Sequence, residues 1–279
     1  MPVRPHGRFA IRIQGKRLVR VGVEKTVHTM EHEITLIICS ENPDAVMDSI
    51  EFMGSFGEYR LVPSSASLIE DRYFDTRARV LRSAHWALRL RKTQGNHLLT
   101  LKGPSRTIGN GIHERFELEL SWSRKALEKV LTEIVRNGLA SPDLSRITSD
   151  PVQAMEAAGF EIVQTRETSR RILNVRKSAD SEVLAELVLD KVLYQFEIGT
   201  ILHHEMELES KSESGILVIG TIMTHLTKIF RREIREWPHS KLATGWAYEK
   251  LLKQEPFAPA RLSPAERCDK LDATLRLNT

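Results

Sequence analysis

Hydrophobic and polar residues alternate with a period of two along several stretches of this chain. That is the mark of strands with one buried and one wet face. The first is residues 30–39, where Glu31, Glu33 and Thr35 share one face and Ile34 and Leu36 the other. Residues 86–92 set Arg89 and Arg91 against Leu88 and Leu90, and a turn at Gly95-Asn96 leads into 98–102, with Thr100 and Lys102 against Leu99 and Leu101. Residues 113–120 set Arg115, Glu117 and Glu119 against Phe116, Leu118 and Leu120. Further strands are predicted at 161–165, 168–176, 183–192 and 203–209; Glu186 and Asp190 share a face, as do Glu205, Glu207 and Glu209. The run Asp71-Arg72-Tyr73-Phe74-Asp75-Thr76 is read as extended and closed by a turn, and Gly103-Pro104 to Gly111 as a flexible loop.

Helical spacing appears between these runs. Residues 43–57 carry Pro43 in the first turn and Val46, Ile50 and Met53 on one face, with Gly54 and Gly57 ending the helix. Ser123 caps an amphipathic helix bearing Leu127, Val130, Leu131, Ile134 and Val135, ended by Asn137-Gly138. A short helix is expected near 151–158 and a longer one over 215–232. After Pro238 breaks the chain, a last helix covers 244–253, and the proline-bearing residues 254–279 read as a tail. At the other end, residues 8–24 alternate around Gly15 and predict a basic β-hairpin arm, for which a solvated edge hairpin is the better reading than an RNA grip.

The charged faces do not look like ordinary wet faces. Two carboxylates two residues apart on one strand lie about 7 Å from each other and repel. Glu-x-Glu recurs in several strands and Arg-x-Arg in one, where a solvated face would carry a mixture with Ser, Thr and Gln. Segregated acids and bases inside a closed sheet could supply both halves of a metal–polyphosphate site. Such a lumen must hold water when empty, because burying that many charges dry costs more than folding yields. The amphipathic helices suit the outside of such a barrel.

Composition narrows the class. Apolar residues make up 41% and charged residues 28%, which fits a globular chain. Residues 1–28 hold seven basic side chains against Glu24 alone, so the excess of the net +4 sits in that arm and the remainder is slightly acidic. The two cysteines, Cys39 and Cys268, are far apart in sequence and make neither a disulfide framework nor a zinc pattern. No run of eighteen apolar residues predicts a membrane span, and no apolar signal core is seen at the N-terminus, so a cytoplasmic location is expected.

Taken in order, the motifs resemble the CYTH, or triphosphate tunnel metalloenzyme, superfamily. The resemblance covers roughly residues 30–253 and rests on Glu31-His-Glu33-Ile-Thr35, Tyr-Phe-Asp-Thr at 73–76, Leu-Arg-Leu-Arg at 88–91 and Leu-Thr-Leu-Lys at 99–102. It continues with Arg-x-Glu-x-Glu at 115–119, a strand ending at Asp190, Glu-x-Glu within 205–209 and Ser-Lys at 240–241. The resemblance implies an α+β fold: a closed eight-stranded antiparallel β-barrel with a charged interior, flanked by helices, over residues 29–253. It implies Mg²⁺ or Mn²⁺ on Glu31, Glu33 and one or two of Glu205, Glu207 and Asp190, and a triphosphate gripped by Arg89, Arg91, Lys102, Arg115, Arg171 and Lys241; Glu117 or Glu119 is the candidate to orient water, with Lys241 also given a catalytic role. Hard cations prefer carboxylate oxygen, and arginine forks fit phosphate. For the same reason His203 and His204 are read as plain strand residues, not ligands.

Two positions depart from the family pattern. Thr35 stands where its first motif carries lysine, and Ala243-Thr244-Gly245 follows Ser-Lys where an arginine is common. The activity expected is metal-dependent hydrolysis of a triphosphate-bearing small molecule or nucleotide. Cyclisation of ATP to cyclic AMP and nucleotide or polyphosphate binding without turnover are the alternatives. No membrane partner is expected, and a homodimer is compatible with the sequence.

Overall fold

The fold is described from a computed structural model and covers residues 29–109, 111–142, 148–177, 182–254 and 262–277. The arm expected at 8–24 lies outside the described residues. Eight long antiparallel strands form the barrel: β1 (Thr29–Ile38), β3 (Tyr59–Thr76), β4 (Ala87–Thr93), β5 (Asn96–Gly109), β6 (Ile112–Ser121), β7 (Phe160–Arg176), β8 (Ala185–Phe196) and β9 (Gly199–Ser210). They follow one another as β1-β6-β5-β4-β3-β7-β8-β9, and β9 pairs back onto β1, which closes the sheet. Two short strands, β2 (Ser55–Phe56) and β10 (Ile234–Glu236), extend β3 and β1.

Seven helices among the described residues cover this barrel. On one side α1 (Pro43–Met53) and α5 (Gly215–Phe230) cover the outward residues Ile34, Leu36, Leu187 and Leu208. On the other, α2 (Val80–Ser83), α3 (Arg124–Arg136) and α4 (Pro151–Ala157) cover Leu88, Leu90, Leu99, Leu101 and Leu118. These leucines, which alternate with charged residues, thus face helices. Caps set where the helices start and stop. Asn42 and Ser123 accept from the backbone N–H of Ala45 and Ala126, and Gly54 ends α1 with φ of 70°, which a side chain would disfavour.

The third apolar cluster lies at one end of the barrel. There α6 (Lys241–Gln254) and α7 (Pro264–Arg276) bury Tyr248, Leu252, Leu271 and Leu275 against Ile37, Val192, Tyr194 and Ile201. The residues expected to form a tail therefore include a docked helix. Its start is a capping box: the Ser263 side chain takes the Glu266 N–H, Glu266 answers the Ser263 N–H, and Pro264 occupies the first turn, where a missing N–H costs nothing. Pro264, one of the prolines by which these residues read as a tail, starts a helix.

Other boundaries also move. β3 runs back to Tyr59 through Pro63-Ser64-Ser65-Ala66-Ser67, which has no apolar alternation to reveal it. The segment 103–109, expected to be a loop, continues β5 and pairs with β6 as far as Gly109 and Ile112. The two strands expected at 161–165 and 168–176 are one strand, β7. Cys39 and Cys268 bring their sulfurs to 2.6 Å, although 229 residues separate them.

Candidate active site

Inside the barrel is a cavity of about 680 Å³. Its wall carries nine Arg and Lys side chains and seven Glu, so an anion entering without a cation would meet nearly as many like charges as opposite ones. β1 supplies Glu31, Glu33 and Thr35 to this wall, and its even-numbered neighbours Ile34 and Leu36 go to the core outside. The same alternation on β4, β5 and β6 brings Arg89, Arg91, Lys102, Arg115, Glu117 and Glu119 inward. Glu207 comes from β9, and Lys241 from the first turn of α6.

Most of these charges meet an opposite one, as β1 shows first. Lys102 donates to both oxygens of Glu31 at 2.9 and 2.8 Å and lies 3.1 Å from Glu117. Arg115 bridges Glu31 and Glu33, each at 2.7 Å. Burial alone would raise the Glu31 carboxyl, but the Lys102 and Arg115 charges outweigh it and bring it to about 2. Glu33 behaves oppositely: burial, joined by the charges of Glu31 and Glu207 and only partly answered by Arg115, lifts it to about 7. Negative charge is therefore in local excess around Glu33.

Lys241 sits at a helix N-terminus, where the backbone dipole disfavours a cation. Three carboxylates compensate: Glu207 at 2.5 Å, Asp190 at 3.2 Å and Glu205 in contact. Burial would lower the ammonium, and these three acids raise it instead, so Lys241 stays charged. Gly245, one turn further along α6, allows the helix to pass against Gln164, whose side chain would lie 2.3 Å from an added Cβ. That close approach accounts for Gly245. Asp190 and Glu205 lie behind the wall, fully buried, and do not line the cavity.

One expected residue is misplaced. Arg171 points outward, to Asp48 at 2.9 Å and Glu51 at 2.5 Å on α1, on the face it shares with Leu173 and Val175. Its neighbour Arg170 points inward, with two hydrogen bonds to Asp190 at 2.8 and 2.6 Å and a third to Glu207 at 3.1 Å. Arg166, two turns of the pleat away, also lines the cavity and bonds Asp71. Both could have been found by extending the apolar parity of Leu173 and Val175 back along one continuous strand.

Tyr-Phe-Asp-Thr at 73–76 divides its work. Tyr73 faces the cavity and Phe74 the core. Asp75 accepts from the backbone N–H groups of Leu81 and Arg82 at 2.9 and 3.0 Å. It thereby fixes the short helix α2, which delivers Arg82, His85 and Trp86 to the cavity rim. Trp246 of α6 joins them, with the Arg82 guanidinium 4.1 Å above its ring. Trp86 heads the run 86–92 on the parity of Leu88 and Leu90, and Trp246 lies on a helix, so the strand pattern assigns neither to the rim. His203 is buried against Tyr248 and Glu205, and His204 reaches outward to Asp44, which leaves both away from the cavity.

A family model for the CYTH domain matches residues 58–234. The chain belongs to the CYTH domain family. Its eight-stranded closed barrel with flanking helices is the CYTH tunnel fold, seen also in the adenylyl cyclase-like protein HpAC1 from Hippeastrum, described as having a dominant triphosphatase activity. That structure is 18% identical, with a TM-score of 0.51, over 78% of this chain and 96% of the other. The PH1819 protein of Pyrococcus horikoshii is 19% identical over 80% of this chain and 99% of its own, with a TM-score of 0.45. The mimivirus capping-enzyme triphosphatase is 9% identical over 72% and 88%, with a TM-score of 0.39. No curated protein matches the chain. Among the described residues no helix is long and apolar enough to cross a membrane.

CYTH triphosphatases generally use divalent metals. Among the described residues no three metal-ligating side chains already stand together as a ligand set, because cations of the chain occupy the carboxylates. The donor chemistry nonetheless fits a hard cation at one place. Glu33 is lifted by burial and by the neighbouring charges of Glu31 and Glu207, and all three line the cavity.

Proposed function

We propose that this CYTH protein is a divalent-metal-dependent triphosphatase, with water attacking the terminal phosphorus of a triphosphate-bearing substrate inside the barrel. One observation carries the reading furthest. Arg89 Nε and Arg166 Nη1 are buried donors in the cavity wall with no acceptor among the described residues. An unmet buried donor costs about 1–3 kcal/mol, and a turn of either guanidinium toward the cavity would offer that donor to a phosphate oxygen.

Glu31, Glu33 and Glu207 would hold the metal, Mg²⁺ or Mn²⁺, which supplies charge neutralisation and polarises the phosphoryl group. Arg89, Arg91, Lys102, Arg115, Arg166 and Arg170 orient the phosphates, and Lys241 meets the negative charge that grows on the leaving side. Of the two candidate acids for water, Glu119 is engaged by Arg89 at 3.1 Å and Thr100 at 2.8 Å. Glu117 meets Lys102 through one oxygen, which leaves the other to orient water. Asp190 and Glu205 act from behind, by keeping Lys241 and Arg170 in place.

The test is a panel of tripolyphosphate, ATP, GTP and thiamine triphosphate with Mg²⁺ and with Mn²⁺, analysed by product. Orthophosphate release supports the proposal. Cyclic AMP with pyrophosphate from ATP would make the protein a cyclase, and binding without turnover under either metal would make it a sensor.

A further inference from the structure

The two cysteines of the chain stand in the apolar cluster at one end of the barrel, and neither lines the cavity. Cys39 directly follows β1, and Cys268 is on α7. Both are buried, and their sulfurs lie 2.6 Å apart. The approach is not left to the thiols alone. Arg235 of β10 binds Asp269 at 2.6 Å, and His239 binds Asp272 at 3.2 Å, so the residue next to Cys268 and the one a helical turn on are tied to β10 and to the segment that leads from it into α6. Leu271 and Leu275 pack on the same side of α7. Bond formation needs a shift of only about half an ångström.

We propose that Cys39 and Cys268 are a peroxide-oxidised modification site, at which an intramolecular disulfide fastens α7 to the end of β1. The Cys39 thiolate attacks one oxygen of hydrogen peroxide, and the O–O bond breaks. With one proton taken up, this gives a sulfenic acid and the first water. The Cys268 thiol then attacks that sulfur, its proton leaves with the sulfenic hydroxyl as the second water, and the S–S bond forms. Two thiols lose two electrons and two protons, and peroxide takes both. The surroundings assign the first step to Cys39. The contact with Cys268 and the Arg235 guanidinium lower its thiol, while that contact and burial push the Cys268 thiol up.

The bond would close a loop of more than two hundred residues and restrain the helix pair that carries Lys241. For a loop of that length the melting temperature should rise by roughly 5 °C or more. The experiment exposes the reduced full-length chain to dilute hydrogen peroxide, denatures it in N-ethylmaleimide and measures the intact mass and Tm. The proposal expects loss of two hydrogens with no alkylation, a Cys39–Cys268 linked peptide, and a Tm rise reversed by dithiothreitol. Cys39→Ser and Cys268→Ser should each abolish that rise. Two alkylated thiols after peroxide, sulfinic or sulfonic acid on either cysteine, or a disulfide between two chains would each overturn it. None of these readouts uses catalytic activity, so failure here is separate from failure of the triphosphatase reading.

Discussion

Asp71 accepts two parallel hydrogen bonds from Arg91, at 2.8 and 2.9 Å, and none of its surface reaches the cavity. Arg166 donates to the same carboxylate at 3.1 Å, and Arg89 lies 4.0 Å away. A single buried acid thus holds three arginines whose forks line the wall. Removing one partner of a buried pair costs about 3–5 kcal/mol, so Asp71→Asn should destabilise the fold by that order and raise KM for a triphosphate more than it lowers kcat. Denaturant titration and steady-state kinetics check the two parts.

Asp71 also gives the protein an acid limit. Burial would raise its carboxyl, but Arg89 and Arg91 hold it far below the ordinary range. The unfolded chain therefore takes up this proton first as pH falls. The stabilisation is complete above about pH 5 and is lost progressively below it, as the unfolded chain binds the proton that the folded one still refuses. Asp71→Asn should lose less stability than the native protein between neutral pH and pH 3, measured by Tm against pH. Parallel curves would place the acid sensitivity elsewhere.

Arg170 and Arg171 separate the inside of the barrel from the outside. Arg170→Ala should lower kcat/KM about a hundredfold, the usual effect of losing a phosphate-side cation, and leave Asp190 short of a partner. Arg171→Ala removes only part-exposed pairs with Asp48 and Glu51, so activity should be unchanged and stability should shift by less than about 1 kcal/mol. Equal losses in both variants would contradict the assignment of faces.

How far the sequence showed this site depends on whether a strand carries an apolar rhythm. β1, β4 and β6 alternate leucine or isoleucine with charge, and their inward residues are legible without coordinates. β7 is polar on both faces from Gln164 to Ser169, so that stretch assigns no face, and only the parity of Leu173 and Val175, carried back along one continuous strand, tells Arg170 from Arg171. β3 hides its first half for the same reason. Helix α7 was masked by prolines, whose role depends on the Ser263–Glu266 capping box around them. The paired cysteines and the tryptophan rim come from tertiary packing and leave no periodic trace.

Thr35 lines the cavity opposite Glu207 on the neighbouring strand. A lysine there would add a cation beside the phosphates. Thr35→Lys should tighten Mg²⁺-tripolyphosphate binding about tenfold by calorimetry. Weaker binding would show that the site accommodates something smaller.

Trp246, beneath Arg82 at the rim, offers a flat apolar surface to a base or other aromatic group. Stacking of that kind is worth about 1–3 kcal/mol. Trp246→Ala should therefore raise KM for nucleoside triphosphates about tenfold and leave KM for tripolyphosphate alone. An equal rise for both would mean that the residue supports the wall and does not select the substrate.

The central claim is that Glu33, among the carboxylates of the barrel wall, is where metal and triphosphate chemistry meet. Orthophosphate release by the native protein and by Glu33→Gln, followed across a Mg²⁺ and a Mn²⁺ titration, tests it most directly. The account predicts metal-dependent turnover in the native protein and at least a hundredfold loss in the variant, with its Tm retained. Unchanged turnover in a folded Glu33→Gln protein would contradict it.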